Sequence, residues 1–203
     1  MTRRSESGRQ ETARHAGAAS APAPLGTARP GTGSRTAADR GLPRPSLTVR
    51  RATLGDLPTV VELRLSLLRE NADHPVYGHL RADARERAYD IFGTQLRSPH
   101  EVMLLAEKEG EIVGILRCVE TLNSPLLHPD RYCYISSVYV RPRARRIGVL
   151  KSLLRRADEW CRERGLTEMR LHNVPGGAAS AAWTAEGFEV VEEVRRKKLG
   201  AAK

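Results

Sequence analysis

The apolar positions between residues 47 and 191 switch repeatedly between a period of two and a period near 3.6, and this switching predicts the elements. Leu47-Thr-Val-Arg-Arg alternates and predicts a short strand. Asp56 followed by Leu57-Pro58 predicts an N-cap with proline in the first turn, and Val60, Val61, Leu65 and Leu68 carry the helix to about Glu70. His74-Pro75 and Gly78 mark residues 71–81 as a loop. Ala84, Ala88, Ile91, Phe92 and Leu96 predict a second helix over 82–97, ended by Ser98-Pro99. Val102-Met-Leu-Leu-Ala and Ile112-Val-Gly-Ile-Leu-Arg-Cys-Val flank a charged turn with Gly110, which is a hairpin signal. Tyr132–Val140, dense in β-branched and aromatic residues, predicts a further strand. After Arg141-Pro142 a helix is expected with Ile147, Leu150, Leu153, Leu154, Ala157, Trp160 and Cys161 on one apolar face and Gly165 at its C′ position. Met169–Leu171 predicts a strand, 177–186 a short helix and Phe188-Glu-Val-Val a last strand. The order is β α α β β β α β α β. This predicts an α+β fold, a mixed and mostly antiparallel sheet flanked by helices, over residues 47–203.

Residues 1–46 break this texture. They are rich in Ala, Arg, Gly, Pro, Ser and Thr, with a single Leu before position 42, and too little apolar surface to offset ordering entropy. A disordered tail is the expectation. Pro22, Pro24 and Pro30 oppose an amphipathic transit helix, a secretory signal lacks its apolar stretch, and no strand precedes Gly31-Thr32-Gly33.

Composition changes this picture little. Net charge is +10, of which eight Arg against Glu6, Glu11 and Asp39 give 8 − 3 = +5 in the tail, leaving +5 elsewhere. Such a surplus suits anionic ligands in general. Aromatic residues at 4% leave little for base stacking, so nucleic acid is not favoured as a partner. No run reaches the roughly 18 apolar residues of a membrane span. Cys118, Cys133 and Cys161 form no C-x-x-C pair and predict buried reduced thiols in a cytoplasmic protein. The six His residues show no helical H-x-x-x-H pairing, so no metal is expected.

The joint between the strand ending at Val140 and the next helix carries the candidate chemistry. A helix N-terminus offers unpaired N–H groups and the positive end of the macrodipole, a natural seat for a diphosphate. Gly148 has no Cβ to block approach, and Arg145 and Arg146 add charge. Generic physics gives an anion site here and no more.

The motif Val138-x-Val140-x-Pro142-x-x-Arg145-x-x-Gly148, followed by Leu153-Leu154, resembles the strand-to-helix motif of the GNAT superfamily of N-acetyltransferases. Ala179, Trp183 and Gly187-Phe188 resemble the family's later segment, and Thr48-Val-Arg-Arg-Ala-Thr-x-x-Asp56 its first strand and helix. The resemblance implies acetyl-CoA as co-substrate. Backbone groups of Val138, Tyr139 and Val140 would meet its pantetheine arm, and those of Arg145, Arg146, Ile147, Gly148, Val149, Leu150 and Lys151 its pyrophosphate. Three positions depart from the family pattern: Arg146 where Gly is usual, Leu150 where Gly or Ala is usual, and Gly176 where Asn is common.

An acetyltransferase needs its amine neutral, and deprotonating an ammonium of pKa near 10.4 at pH 7 costs (10.4 − 7) × 1.36, roughly 4.6 kcal/mol. A departing thiolate costs only roughly 2 kcal/mol. The family's usual base lies on the strand before the motif, where period two from Val138 points Ser136 and Tyr134 into the cleft, and its usual acid aligns with Trp183. Neither Ser136 nor Tyr134 is a Glu or His, and Trp183 cannot donate a phenolic proton. Glu120, at the end of the Ile112–Val119 strand, is the substitute base and Tyr134 the substitute acid; Glu62 and His128 are weaker bases. Small-molecule and protein amines both stay open as acceptors, as does a homodimer. A catalytically inactive acetyl-CoA sensor and a basic nucleic-acid-binding module are the competing functions.

Overall fold

The computed structural model describes residues 47–199, so the expected tail lies outside the described residues. Five strands form one sheet in the order β1-β2-β3-β4-β5: β1 (Leu47–Arg51), β2 (Glu101–Lys108), β3 (Glu111–Leu122), β4 (Arg131–Val140) and β5 (Met169–Leu171). The first three pairings are antiparallel, and β4–β5 is parallel through Cys133↔Met169 to Ile135↔Leu171. The helices are α1 (Leu57–Glu70), α2 (Ala84–Gln95), α3 (Val149–Glu163) and α4 (Gly177–Ala185). The mixed, mostly antiparallel sheet matches the expectation.

Each face of the sheet has its own core. On one face α3 lays Val149, Leu153, Ala157 and Trp160 on Leu104, Leu116, Cys118 and Ile135. On the other, α1 and α2 bury Val60, Val61, Leu63 and Phe92 against Met103, Leu105, Ile115 and Tyr139. Period-two alternation along β2 supplies both cores from one strand. Gly114 lets α3 come close, because a Cβ there would lie 2.9 Å from Val149 Cγ1.

Four expectations are corrected. Asp56 does not cap α1 with its side chain. A 3₁₀ turn, Leu54–Asp56, precedes that helix, and the Asp56 carboxylate instead accepts from Thr53 N (2.7 Å), Thr53 Oγ1 (2.9 Å) and both terminal nitrogens of Arg50. The helix expected just after Pro142 begins only at Val149, after a 3₁₀ turn over Pro142–Ala144 and a left-handed Gly148. Ile147 therefore lies outside the apolar face and is exposed. Ile91 is also exposed, since its face of α2 borders a cavity.

The last strand does not form among the described residues. Gly187 N–H donates to Thr184 O and Phe188 N–H to Trp183 O, a Schellman closure of α4. Phe188 packs edge-on against Trp183, 5.3 Å between ring centroids, so it belongs to the helix cap. Gly165 closes α3 in the same way, as expected, with Leu166 N–H donating to Cys161 O.

The three cysteines are free and buried, and α3 brings Cys161 to Cys118 and Cys133. Mutual contact and burial push the thiols of Cys133 and Cys161 up, which keeps them protonated and unreactive.

Candidate active site

A break in the regularity of β4 organises the site. Ile115 pairs with Tyr139 but Arg117 pairs with Ser136, so β4 spends one extra residue, and Ser137 adopts φ 53°. This is a β-bulge, and it flips every side chain beyond it. Cys133 and Ile135 face α3 before the bulge, as do Val138 and Val140 after it. Tyr134 and Ser136 face α1 and α2 instead, on the same side as Tyr139. Strict alternation from Val138 puts Tyr134 and Ser136 on its own side; they line the cavity, and Val138 is the residue turned to α3.

Beyond Ile135 the edge of β4 is unpaired, because β5 ends at Leu171. Val138, Tyr139 and Val140 consequently flank an open slot beyond the end of β5. At its end lies the turn into α3. The amides of residues 146–151 meet no backbone acceptor among the described residues, and α3 has no side-chain cap. Arg146 (φ 64°) and Gly148 (φ 86°) both take the left-handed conformation, which turns successive N–H groups outward. A Cβ on Gly148 would touch nothing within 4 Å. The glycine thus serves backbone conformation rather than relief of contact. Leu150 packs against the α3 core and leaves the amides open, so the departure at that position does not obstruct them. Val149 is buried, while Arg146, Ile147 and Lys151 are exposed.

Arg145 is not a free cation of this turn. Its Nε donates to Val140 O (2.9 Å) and its Nη2 to Glu70 Oε2 (2.6 Å), while Tyr139 Oη donates to Glu70 Oε1 (3.0 Å). Glu70 thereby ties the end of α1 to both the slot and the turn. Periodicity pointed to no such role, since Glu70 merely ends a helix in the sequence.

On the α1/α2 face, Tyr134, Ser136 and Ser137 form one wall of a cavity of about 570 Å³, closed by α1, α2 and the loop before α2. That loop turns tightly at Gly78, where a Cβ would lie 1.8 Å from Ala72 O, and His74 Nδ1 accepts from the amides of Val76 and Tyr77. Arg117 is held by Glu101 at 2.5 Å and donates to Ser136 Oγ at 3.1 Å. Tyr134 Oη lies 3.1 Å from His172 Nδ1, just beyond β5. Burial foremost, with Tyr77 and Tyr132 nearby, pushes the Tyr134 phenol up, so it stays protonated and able to donate. His172 follows a three-residue strand and carried no periodic signal of its own.

The structure does not bring Glu120 to this cavity. It follows Cys118 in alternation and so faces α3, where its carboxylate, 9% exposed, meets Arg131, Arg164 and His100. Burial opposes its charge, but these partners prevail and hold the carboxyl below its ordinary value. Arg164 lies at the C-terminal end of α3, about 22 Å of helix from the amides at the other end. Glu62 is occupied by Arg69 and Arg85, and His128 is almost wholly exposed beside Asp130. Trp183 joins the α3-side core with Phe188. Among the described residues no cluster suits a metal, and no helix is long and apolar enough to cross a membrane.

The acetyltransferase (GNAT) family model matches residues 65–188. The chain is 30% identical over 113 residues to the aminoglycoside N(6′)-acetyltransferase type 1 of Klebsiella aerogenes, covering 54% of this chain and 74% of that protein. It is 31% identical over 106 residues to the acetyl transferase GW6a of Oryza sativa subsp. japonica, covering 48% of this chain but only 25% of the rice protein. The aminoglycoside N-acetyltransferase AAC(6′)-Iy, solved in complex with CoA, superposes with a TM-score of 0.64 at 20% identity, over 78% of this chain and 98% of that one. Together with the slot, the turn and the strand order, these matches settle the family: the chain belongs to the GNAT acetyltransferases, whose co-substrate is acetyl-CoA.

Proposed function

We propose that this protein transfers acetyl from acetyl-CoA to a primary amine by direct attack in a ternary complex. The observation that carries the reading is the meeting of slot and cavity at one bulge. The open edge of β4 and the unpartnered amides of 146–151 lie to one side of Ser137, and the cavity wall of Tyr134 and Ser136 lies to the other. The amides of residues 146–151 would hold the pyrophosphate and the β4 edge at Val138–Val140 the pantetheine arm. Acetyl-CoA supplies the acetyl group as a thioester. The amine nitrogen bonds to the acetyl carbon as the carbon–sulfur bond breaks, and the amine proton leaves.

His172 and Tyr134 are the groups placed to manage protons. An imidazole can take a proton at neutral pH, and His172 sits within hydrogen-bonding distance of a protonated phenol on the cavity wall. Tyr134 then donates toward the departing sulfur. The three buried, unoxidised cysteines accord with a cytoplasmic setting. Acetyl-CoA-dependent thiol release over a panel of amines tests the proposal. Release with at least one primary amine is expected, with His172→Ala lowering the rate at pH 7 roughly 10²–10⁴-fold and less at higher pH, where the amine deprotonates unaided. Acetyl-CoA binding without release over the whole panel would leave a sensor.

A further inference from the structure

The charge lining the cavity is one-sided. Arg64, Arg81, Arg87 and Arg117 border it together with His79, and no Asp or Glu does so among the described residues. Three of these arginines already engage a carboxylate from behind. Asp83 takes both Arg81 and Arg87, and Glu101 takes Arg117. Arg64, on α1, has neither an ion pair nor a hydrogen bond among the described residues, although it is half-buried. Burial foremost, together with the charge of Arg117, pushes its guanidinium down from the ordinary value, the signature of a desolvated cation lacking its counterion. Tyr134, which we place beside the reacting centre, lines the same cavity as Arg64.

We infer that the acceptor is a primary amine that also carries a carboxylate, bound by Arg64 across the cavity from Tyr134. This rests on the amine-acetyltransferase reading above and names its substrate class. A planar guanidinium binds a carboxylate bidentately, and Arg64 alone of the four arginines has no carboxylate partner among the described residues. The same lining opposes an aminoglycoside, whose several ammonium groups would meet four arginines and no carboxylate. The aminoglycoside-modifying relatives share this chain's fold, and on this inference the acceptor differs.

The test uses the full chain and acceptors matched in pairs. Thiol release is compared for 4-aminobutyrate against butylamine and for lysine against cadaverine. β-Alanine against 2-aminoethyl phosphate, and the aminoglycoside kanamycin, complete the panel. The carboxylate member is expected to lead in kcat/KM by roughly 10–100-fold, the span of one charge-assisted contact. Arg64→Met should collapse that ratio to near one, and Arg64→Lys should restore part of it. A second arm needs no turnover: N-acetyl-4-aminobutyrate should bind CoA-saturated protein in calorimetry where N-butylacetamide does not, again through Arg64. Equal rates within the pairs, a preference for the phosphate or for kanamycin, or a ratio indifferent to Arg64→Met overturns the inference while acetyl transfer stands. Arg64-dependent binding of the carboxylate product with no thiol release from any amine supports the anion site and removes the transferase reading instead.

Discussion

Replacing Gly148 by alanine isolates what the turn before α3 contributes. The residue sits at φ 86°, and a Cβ built on it meets nothing within 4 Å, so the substitution adds no collision. Its cost is conformational: an L-residue in the left-handed region loses roughly 1–2 kcal/mol. If the turn holds its shape, that loss appears as stability, about 2–8 °C in melting temperature for a domain of this size. If the turn relaxes, the amides of residues 146–151 lose their common aim, and acetyl-CoA affinity falls by about 5–30-fold. Gly110, in the β2–β3 hairpin, provides an internal control because its φ is 79° and its Cβ position is equally open. Gly110→Ala should therefore lower the melting temperature by a similar amount. Calorimetric titration of acetyl-CoA into both variants separates the two contributions. Weakened binding in Gly148→Ala alone is expected. Equal affinity in the two variants would refute the assignment of this turn to the pyrophosphate.

Other perturbations probe the remaining contacts. Tyr134→Phe should lower turnover by at most about 30-fold, since unaided thiolate departure costs only (8.5 − 7) × 1.36, about 2 kcal/mol; a larger loss measured by thiol release would give the phenol another role. Glu120→Gln should lower the melting temperature while sparing turnover, because its partners are Arg131 and Arg164 on the α3 face; a rate loss near 10²–10⁴-fold would restore Glu120 as the base. Asp56→Asn should destabilise by about 2–3 kcal/mol at pH 7, through the lost charge-assisted bonds from Arg50 and Thr53. These partners hold the Asp56 carboxyl far below its ordinary value. The carboxylate's contribution is thus complete above about pH 4 and lost as pH falls toward the folded value, so the gap between the two proteins in thermal melts should shrink in acid. Gly114→Val forces side chains against Val149 and Leu153 and should cost about 1–3 kcal/mol in denaturant unfolding.

Residues whose environment follows from spacing were legible before the structure. The apolar stripe of α3, the β2–β3 hairpin and Gly165 as a cap depend on contacts a few residues apart or on one period maintained over a whole element. Phe188 shows where that logic fails. Followed by Glu-Val-Val it satisfies a strand pattern, yet Gly187 just before it permits a Schellman turn, and an aromatic contact with Trp183 four residues after Ala179 captures it. Local capping chemistry outcompeted β propensity. Glu70, Arg64 and His172 were illegible for a different reason. Glu70 and His172 meet partners 75 and 38 residues distant in sequence, as Arg145–Glu70 and Tyr134–His172 show, and Arg64 stands out only by lacking a partner in a cavity built from separate elements; no periodicity encodes either.

The bulge at Ser137 explains why alternation pointed Tyr134 and Ser136 to the cavity but misjudged Val138. One inserted residue places Tyr134 and Ser136 on the cavity side while Val138 and Val140 serve the α3 core, so the strand presents polar side chains to the cavity without exposing its apolar half. The C-terminal half of β4 keeps an unpaired edge because β5 ends at Leu171. Donor and acceptor must meet within bonding distance yet enter from different sides, and a regular strand offers no passage from one side to the other. In the proposed reaction the irregular residue is where the two would meet. That places Ser137, with its φ of 53°, under a constraint that sequence pattern could not express.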